Sequence, residues 1–323
     1  MATEQMAMTD GKSAADTGTA DTVTADTGTE PGGTARHPEP VPFGPGSILW
    51  EEIGLYASAI AGNSAFILQT MHPAIGTVVD RLSSFRTDPL GRAARSFASV
   101  QTWVYGGPAA IEEGRRLREM HKPLSAVDED GTRHHALSAE PWAWVHLTGF
   151  YAAVTAARYF APAPMTPAEE RQVYEEFLNL GRILRVPERM FPETVADFWV
   201  YFDDMVDGTL VPHKVAREVL DRMDRVPPGV PAAARPLLAP LSMTGGRLAR
   251  FIAVGTLPPG AREKLGLSWS GADERRLRAV GAVIGRGTRR LPERLRYMPI
   301  AYHARQAARA QERLERALAE RPL

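Results

Sequence analysis

Apolar residues recur along this chain three or four positions apart, which is the spacing of one helix face, and strand-like alternation is rare. The segment 88–105 is the clearest case, because Asp88 and Pro89 provide an N-cap and a first-turn proline and Gly106 follows the last apolar position. The buried stripe expected on it consists of Leu90, Ala93, Ala94, Phe97, Gln101 and Val104. The pattern predicts an all-α fold.

Start and stop signals for helices recur through the rest of the chain. Thr166 and Glu169, for example, form a capping box at the start of one helix. A polar hairpin or loop is expected over 128–135, and the helix after it begins near 138. The other predicted helices span 108–121, 166–182, 193–206, 213–222, 232–254, 271–286 and 301–320. Because no fixed repeat or linker interrupts them, residues 44–323 are predicted to form one large helical domain.

Residues 53–79 contain no Asp, Glu, Lys or Arg. A run of this length raises the question of a membrane span. Gly62, Asn63, Gln69 and His72 interrupt it, however, and Pro73 breaks a helix. We therefore predict two buried core helices that meet near 70–73, and we do not expect integral membrane insertion.

The composition narrows the chemistry. The chain has 323 residues, 38 Lys and Arg, 38 Asp and Glu, and no cysteine. Balanced charge gives no overall electrostatic footprint for nucleic acid or for an anionic membrane surface. The lack of cysteine excludes disulfides, thiolate nucleophiles, cysteine-ligated haem and iron–sulfur clusters. A metal or cofactor therefore requires histidine or oxygen ligands.

The first residues differ in composition from the rest. Residues 1–43 are rich in Thr, Ala, Asp and Gly, so they have little apolar surface to offset their ordering entropy. We predict a disordered tail there. The N-terminus lacks the basic and apolar regions of a secretory signal, so we expect a cytoplasmic location.

His146 lies in a segment, 142–154, that is apolar on nearly every helix face. Such a helix belongs in a core. A buried imidazole with unpaired nitrogens costs about 1–3 kcal/mol, so the ring needs a partner. It is either a neutral core histidine bonded to a backbone carbonyl, a metal ligand, or part of a cavity.

Two more histidines adjoin apolar sequence. His121 ends the predicted helix 108–121, and with Leu117 one turn earlier its ring can face the core as an axial ligand. The alternative is a charged histidine that interacts with the helix dipole. His72 precedes Pro73 at the helix break, where its side chain is expected to cap backbone groups.

Four polar residues follow one side of the 88–105 helix, since Arg92, Arg95, Ser96 and Ser99 stand at i, i+3, i+4 and i+7. They lie opposite the stripe that contains Phe97, so periodicity alone predicts that they face solvent. A cofactor on that side would give the arginines a function, because guanidinium groups bind carboxylates such as haem propionates in a fork geometry.

These segments occur in a characteristic order over residues 44–305. The motifs are Gln69-Thr-Met-His72-Pro73-Ala-Ile-Gly76, Phe85-Arg-Thr-Asp88-Pro89-Leu-Gly-Arg92-Ala-Ala-Arg95-Ser96, Val104-Tyr-Gly-Gly-Pro108, Arg118-Glu-Met-His121, Trp144-Val-His146, Phe191-Pro-Glu-Thr194 and Leu265-Gly-Leu-Ser-Trp269. In this order they resemble the MpaB / latex clearing protein (rubber oxygenase) family of helical oxygenases that contain haem b.

The resemblance implies a globin-like helical core, a proximal histidine on iron, and an Arg-x-x-Lys/Arg-Thr/Ser segment near the haem. Arg92, Arg95 and Ser96 match that segment as the implied catalytic residues. His121 best matches the iron ligand, and His146 is the competing choice. Arg95 stands where the rubber oxygenases carry lysine, and since arginine stays protonated no distal amine ligand is expected.

The implied reaction is the oxygenation, with dioxygen, of a hydrophobic small molecule of isoprenoid or polyketide type. Arg92 and Arg95 would position the propionates or polarise oxygen, and His72 and His146 would line the cofactor pocket.

Two other classes of protein stay open. One is a non-catalytic helical protein that binds a hydrophobic ligand. The other is a non-haem metal enzyme, since imidazole suits several transition metals. Its ligands would be His72, His121, His146 and Glu113.

Overall fold

The structure is a computed structural model that describes residues 39–226 and 235–320, with side chains from 242 onward in the second range. Residues 1–38 of the predicted tail 1–43 lie outside the described residues. So do residues 232–234, the first three of the predicted helix 232–254. The described residues form one compact unit that begins at Glu39. Val41 exchanges two hydrogen bonds with the Asn179 side chain, at 2.8 and 2.7 Å, so contact with the helical body begins before residue 44.

The described residues fold into fourteen α-helices and one two-stranded antiparallel sheet, which confirms the predicted all-α class. The elements are α1 (Ile48–Glu52), α2 (Tyr56–Met71), α3 (Pro73–Leu82), α4 (Pro89–Tyr105), α5 (Ala109–His121), β1 (Ser125–Val127), β2 (Arg133–His135), α6 (Ala139–Phe160), α7 (Pro167–Ile183), α8 (Val195–Asp204), α9 (Lys214–Arg222), α10 (Arg235–Thr256), α11 (Pro259–Leu265), α12 (Gly271–Arg290), α13 (Glu293–Arg296) and α14 (Pro299–Glu320). In the hairpin, Ala126 lies opposite His134.

The predicted break in the uncharged run falls where expected, because α2 ends at Met71 and α3 begins at Pro73. The capping box of α7 is also present, with Thr166 and Glu169 bonded reciprocally. Helices α1, α11 and α13 were not predicted. They have 5, 7 and 4 residues, too few turns for a periodic pattern to register.

Helices α2 and α6 make the most extensive helix contact in the core. Ile67 of α2 and Leu147 and Phe150 of α6 are fully buried there. The Gln69 side-chain amide donates to Thr148 Oγ1 across the pair, at 2.9 Å. The missing charges of 53–79 thus reflect burial among other helices. Within the described ranges, no helix is long and apolar enough to cross a lipid bilayer.

The predicted stripe on α4 is wrong in its first half. Leu90 is 64% exposed and Ala94 is exposed, whereas Gln101 and Val104 are buried. Gln101 Oε1 accepts a hydrogen bond from the Ala301 backbone N–H of α14, at 3.2 Å. The buried half of the stripe is therefore the half that meets α14, whereas Ala93 and Phe97 in the first half are only half-buried.

Candidate functional site

His121 closes α5, and its ring lies against the same helix and against Trp142. Nδ1 is 2.8 Å from the Leu117 carbonyl oxygen. A carbonyl can only accept, so Nδ1 carries the proton and Nε2 of the neutral ring keeps its lone pair. Nε2 has no hydrogen-bond partner among the residues that the structure describes. The Trp142 ring meets the imidazole edge-on, with centroids 5.4 Å apart.

The surroundings of His121 keep it neutral. Burial lowers its pKa, and the positive charges of Arg92 and Arg116 lower it further, while the bond to Leu117 opposes them. The charged form needed for a favourable interaction with the helix dipole is therefore disfavoured at neutral pH. A neutral imidazole with a free Nε2 lone pair is the form that binds metals.

His146 occupies the core of α6 and is bonded to the backbone. Its Nε2 is 2.8 Å from the Phe177 carbonyl oxygen, so Nε2 carries the proton. Burial lowers its pKa to about 4. The ring packs against Phe177 and Phe191, and a Cβ at Gly181 would come within 3.1 Å of Nε2. Of the readings that the sequence left open, the geometry is that of the neutral core histidine bonded to a carbonyl.

His72 caps α3, as expected from its place before Pro73. The Ala74 backbone N–H donates to Nδ1 at 3.2 Å, so the proton of the neutral ring is on Nε2. Nε2 is buried without a hydrogen-bond partner, and Glu140 Oε1 lies 3.8 Å away. Burial lowers the pKa of His72, and the Glu140 carboxylate opposes that shift.

The three histidines differ in the state in which their hydrogen bonds leave the ring nitrogen Nε2. The outer ring nitrogen, Nε2, donates to a carbonyl in His146 and bears an unpaired proton in His72. In His121 the same atom has a free lone pair. Of the three, His121 alone presents Nε2 in the form that a metal ligand requires.

Arg92 is half-buried on α4 and lies near His121. Its guanidinium carbon is 4.2 Å from the centroid of the Phe66 ring, and Nε donates to Ser83 Oγ at 2.9 Å. Burial lowers its pKa, and the Arg95 charge adds to that shift. Within the described ranges, no Asp or Glu forms an ion pair with it. The expectation that Arg92 faces solvent is wrong, and its guanidinium is suited to an anionic group that the protein itself does not supply.

Arg95 and Ser96 lie at the surface, as periodicity predicts. The Arg95 side chain is 64% exposed and pairs with Asp88 at 3.0 Å. A surface pair of this kind contributes about 0–1 kcal/mol to stability. The two residues therefore lie at the exposed end of the side of α4 that carries Arg92.

Ser99 and Glu113 join α4 to α5. Ser99 is buried and its Oγ lies 2.5 Å from Glu113 Oε1, and Arg116 pairs with the same carboxylate at 2.6 Å. Among the residues with described side chains, no three His, Asp or Glu groups are arranged to hold a metal ion. The alternative metal centre of three histidines and Glu113 is thus not assembled.

Sequence reasoning missed Trp103. Its indole Nε1 is buried without a partner, and its ring packs against the core cluster that contains Trp142. An unpaired buried donor of this kind costs about 1–3 kcal/mol. The signal was weak because a tryptophan on an amphipathic helix is ordinarily a core residue. Its position next to the Trp142 cluster adds a free donor near the His121 site.

Comparison with known proteins connects this arrangement to a family. The family model described as "ER-bound oxygenase mpaB/B'/Rubber oxygenase, catalytic domain" matches residues 50–286. An uncharacterized protein of Mycobacterium bovis and one of Mycobacterium tuberculosis are each 28% identical over 174 residues, which is 54% of this chain and 64% of theirs. The match thus spans less than two thirds of the length of these curated relatives. No solved structure matches the chain.

The helical fold and the His121–Arg92 arrangement define an all-α protein with a candidate cofactor site on α4 and α5. Because the family match extends from α1 into α12, the chain belongs to the mpaB/rubber oxygenase family of oxygenase catalytic domains. The resemblance read from the order of its motifs is confirmed.

Proposed function

We propose that this chain is a haem b-dependent oxygenase that uses dioxygen to oxidise a hydrophobic small molecule of isoprenoid or polyketide type. The family supports the oxygenase class, and the rubber oxygenases in its description suggest an apolar substrate. The observation that carries the haem assignment is the hydrogen bond from His121 Nδ1 to the Leu117 carbonyl. It leaves a neutral Nε2 lone pair on a ring of fixed orientation.

The residues present fit haem in three respects. Imidazole is a common protein ligand of haem iron, and His121 Nε2, which has a free lone pair, would hold it. Propionates need a cation, and Arg92 is a half-buried guanidinium without a carboxylate among the described residues. The Trp103 N–H adds an unpaired donor. Arg95 and Ser96, at the exposed end of the same helix side, would supply further hydrogen-bond donors to the propionates.

The chain's own residues would orient the His121 ring and support the site around it. The bond to Leu117 fixes the tautomer of His121 and increases the basicity of its Nε2. Trp142 limits rotation of the ring by edge-on contact. When bound, haem supplies the dioxygen chemistry that amino-acid side chains lack. His146 holds α6 to α7 through the Phe177 carbonyl, and His72 caps α3, so both would support the pocket without touching iron.

The test is reconstitution with hemin. The wild-type chain should give a Soret band and stoichiometric iron, His121→Ala should lose both, and His146→Gln should keep them when far-UV circular dichroism shows it folded. Absence of a Soret band from the wild type, or full haem binding by His121→Ala, overturns the assignment. Oxygen uptake with apolar isoprenoids then separates an oxygenase from a helical protein that only binds such ligands.

A further inference from the structure

Although the charges of the whole chain balance, one segment is strongly basic. Residues 275–309 contain ten arginines, no lysine and one acidic residue, Glu293, a net charge of +9 in a chain whose formal net charge is zero. The segment covers most of α12, all of α13 and the first half of α14. Positive charge is therefore concentrated in one stretch of the chain.

Helix α12 lies flat against the body through small residues. Leu277, Gly281 and Gly285 are buried along its inner side, at i, i+4 and i+8. A Cβ at Gly285 would come within 2.1 Å of the Phe160 carbonyl oxygen of α6, so the two backbones touch. This close approach leaves the opposite side of α12 exposed along its whole length.

That opposite side combines arginine with aliphatic side chains. Val283, Arg286 and Arg290 share it at i, i+3 and i+7, and Val283 is 71% exposed. The chain continues directly into Leu291 and Leu295, of which Leu295 is 54% exposed. We use the name α12 outer face for the exposed residues of this side of the helix together with the exposed residues that follow it in the chain. They are Val283, Arg286, Arg290, Leu291, Arg294 and Leu295.

The arginines of the α12 outer face are not neutralised by the protein. Arg286, Arg290 and Arg294 are exposed, and none forms an ion pair with an acidic group in the described part of the chain. Glu293, the acidic residue of the segment, is half-buried and already pairs with Arg309, at 2.5 Å. The face thus presents free guanidinium groups between protruding aliphatic side chains.

We propose that the α12 outer face docks this protein on the surface of an anionic lipid bilayer. Guanidinium groups bind lipid phosphates with paired hydrogen bonds, and each basic residue near an anionic surface strengthens attachment about fivefold. Val283, Leu291 and Leu295 enter the headgroup boundary, which removes exposed apolar area from water. A nucleic acid is the poorer partner, because these aliphatic side chains would remain in water and no aromatic ring among them is placed to stack on bases.

The experiment is vesicle flotation with the full chain, without haem or substrate, so its result is independent of the proposed oxygenase function. The probes are phosphatidylcholine vesicles with and without about 30 mol% phosphatidylserine, in about 0.1 M salt. The variant is Arg286→Gln/Arg290→Gln/Arg294→Gln. We expect wild-type binding to the anionic vesicles only, and a loss of about 100-fold in the variant.

A matched control removes the same charge elsewhere, as Arg133→Gln/Arg171→Gln/Arg217→Gln on β2, α7 and α9. It should bind within about threefold of wild type, because only charges within a Debye length of the membrane contribute. Equal losses in both variants, equal binding to neutral vesicles, or no binding by the wild type would overturn the proposal.

The aliphatic residues are tested separately with Leu291→Ser/Leu295→Ser, which keeps every charge. We expect at least a tenfold loss of binding to anionic vesicles, from about 25 cal/mol for each Å² of apolar area left in water. If this variant binds vesicles as the wild type does, and double-stranded DNA competes fully with lipid, the face is a polyanion site and the bilayer proposal fails.

Discussion

His146 makes a quantitative test of the core, because its ring is buried in the neutral form. Its pKa falls to about 4 in the folded protein, through burial, from the ordinary value of 6.5. The perturbation is His146→Leu, which removes the titrating ring and the bond to the Phe177 carbonyl. At pH 7.5 the variant should lose about 1–3 kcal/mol of unfolding free energy from the lost hydrogen bond and imperfect packing.

The direction in which stability changes with pH follows from the protonation of His146 in the folded and unfolded chain. Above pH 6.5 the ring is neutral in both the folded and the unfolded chain, so it contributes no pH dependence. As the pH falls from 6.5 towards 4, the unfolded chain binds a proton that the folded chain does not, and wild-type stability declines. The loss reaches about 2 kcal/mol at pH 5 and about 3 kcal/mol below pH 4. His146→Leu lacks this contribution.

Urea unfolding of the wild type and the variant between pH 7.5 and 5 measures the difference directly. Every other ionisable group is present in both proteins, so its contribution cancels in the comparison. The stability deficit of the variant should shrink by about 2 kcal/mol at pH 5, and His303→Leu at an exposed site serves as the surface control. A deficit that stays constant over this range would refute the burial of a neutral ring.

Two further predictions use paired positions. Gly285→Ala should lower the unfolding free energy by about 1–3 kcal/mol, because its Cβ meets the Phe160 carbonyl. Gly287→Ala has open space around the new Cβ and should raise the unfolding free energy by about 0.5–1 kcal/mol. Thermal unfolding of both variants checks this, and equal shifts would contradict the close contact of α12 with α6. Arg92→Gln should weaken hemin binding about tenfold, since a charged hydrogen bond is lost, and Arg95→Gln should weaken it by less. Hemin titration of both variants measures the two affinities. A greater loss in Arg95→Gln would contradict the placement of Arg92.

Much of the helical architecture is predictable from local pattern. The break at His72–Pro73, the caps of α4 and α7 and the hairpin before α6 all depend on a few neighbouring residues. The short helices α1, α11 and α13 escape prediction because they have too few turns to show a periodic pattern, although Ser47 caps the start of α1 and Gly266 the end of α11.

The site is less predictable because burial on α4 depends on its neighbours. Periodicity places Arg92 in solvent, yet Phe66 of α2 lies beneath its guanidinium, a contact between distant parts of the chain. Leu90 shows the opposite error, with an apolar residue left exposed.

Histidine chemistry is also set by tertiary contacts. His72, His121 and His146 all read as apolar-flanked histidines, and only their hydrogen-bond partners distinguish their tautomers. The sequence can therefore name the candidate ligands, whereas choosing among them requires the backbone carbonyls and amides that surround each ring.

The most direct test of the central assignment is His121→Gly reconstituted with hemin, with and without free imidazole. Deleting the side chain opens space where a diffusible imidazole can replace the ring. We expect the variant to lack the Soret band of the wild type and to regain it when imidazole is added, while the spectrum of His146→Gln is unaffected by imidazole. A His121→Gly spectrum identical to the wild type without imidazole would show that His121 does not bind the iron.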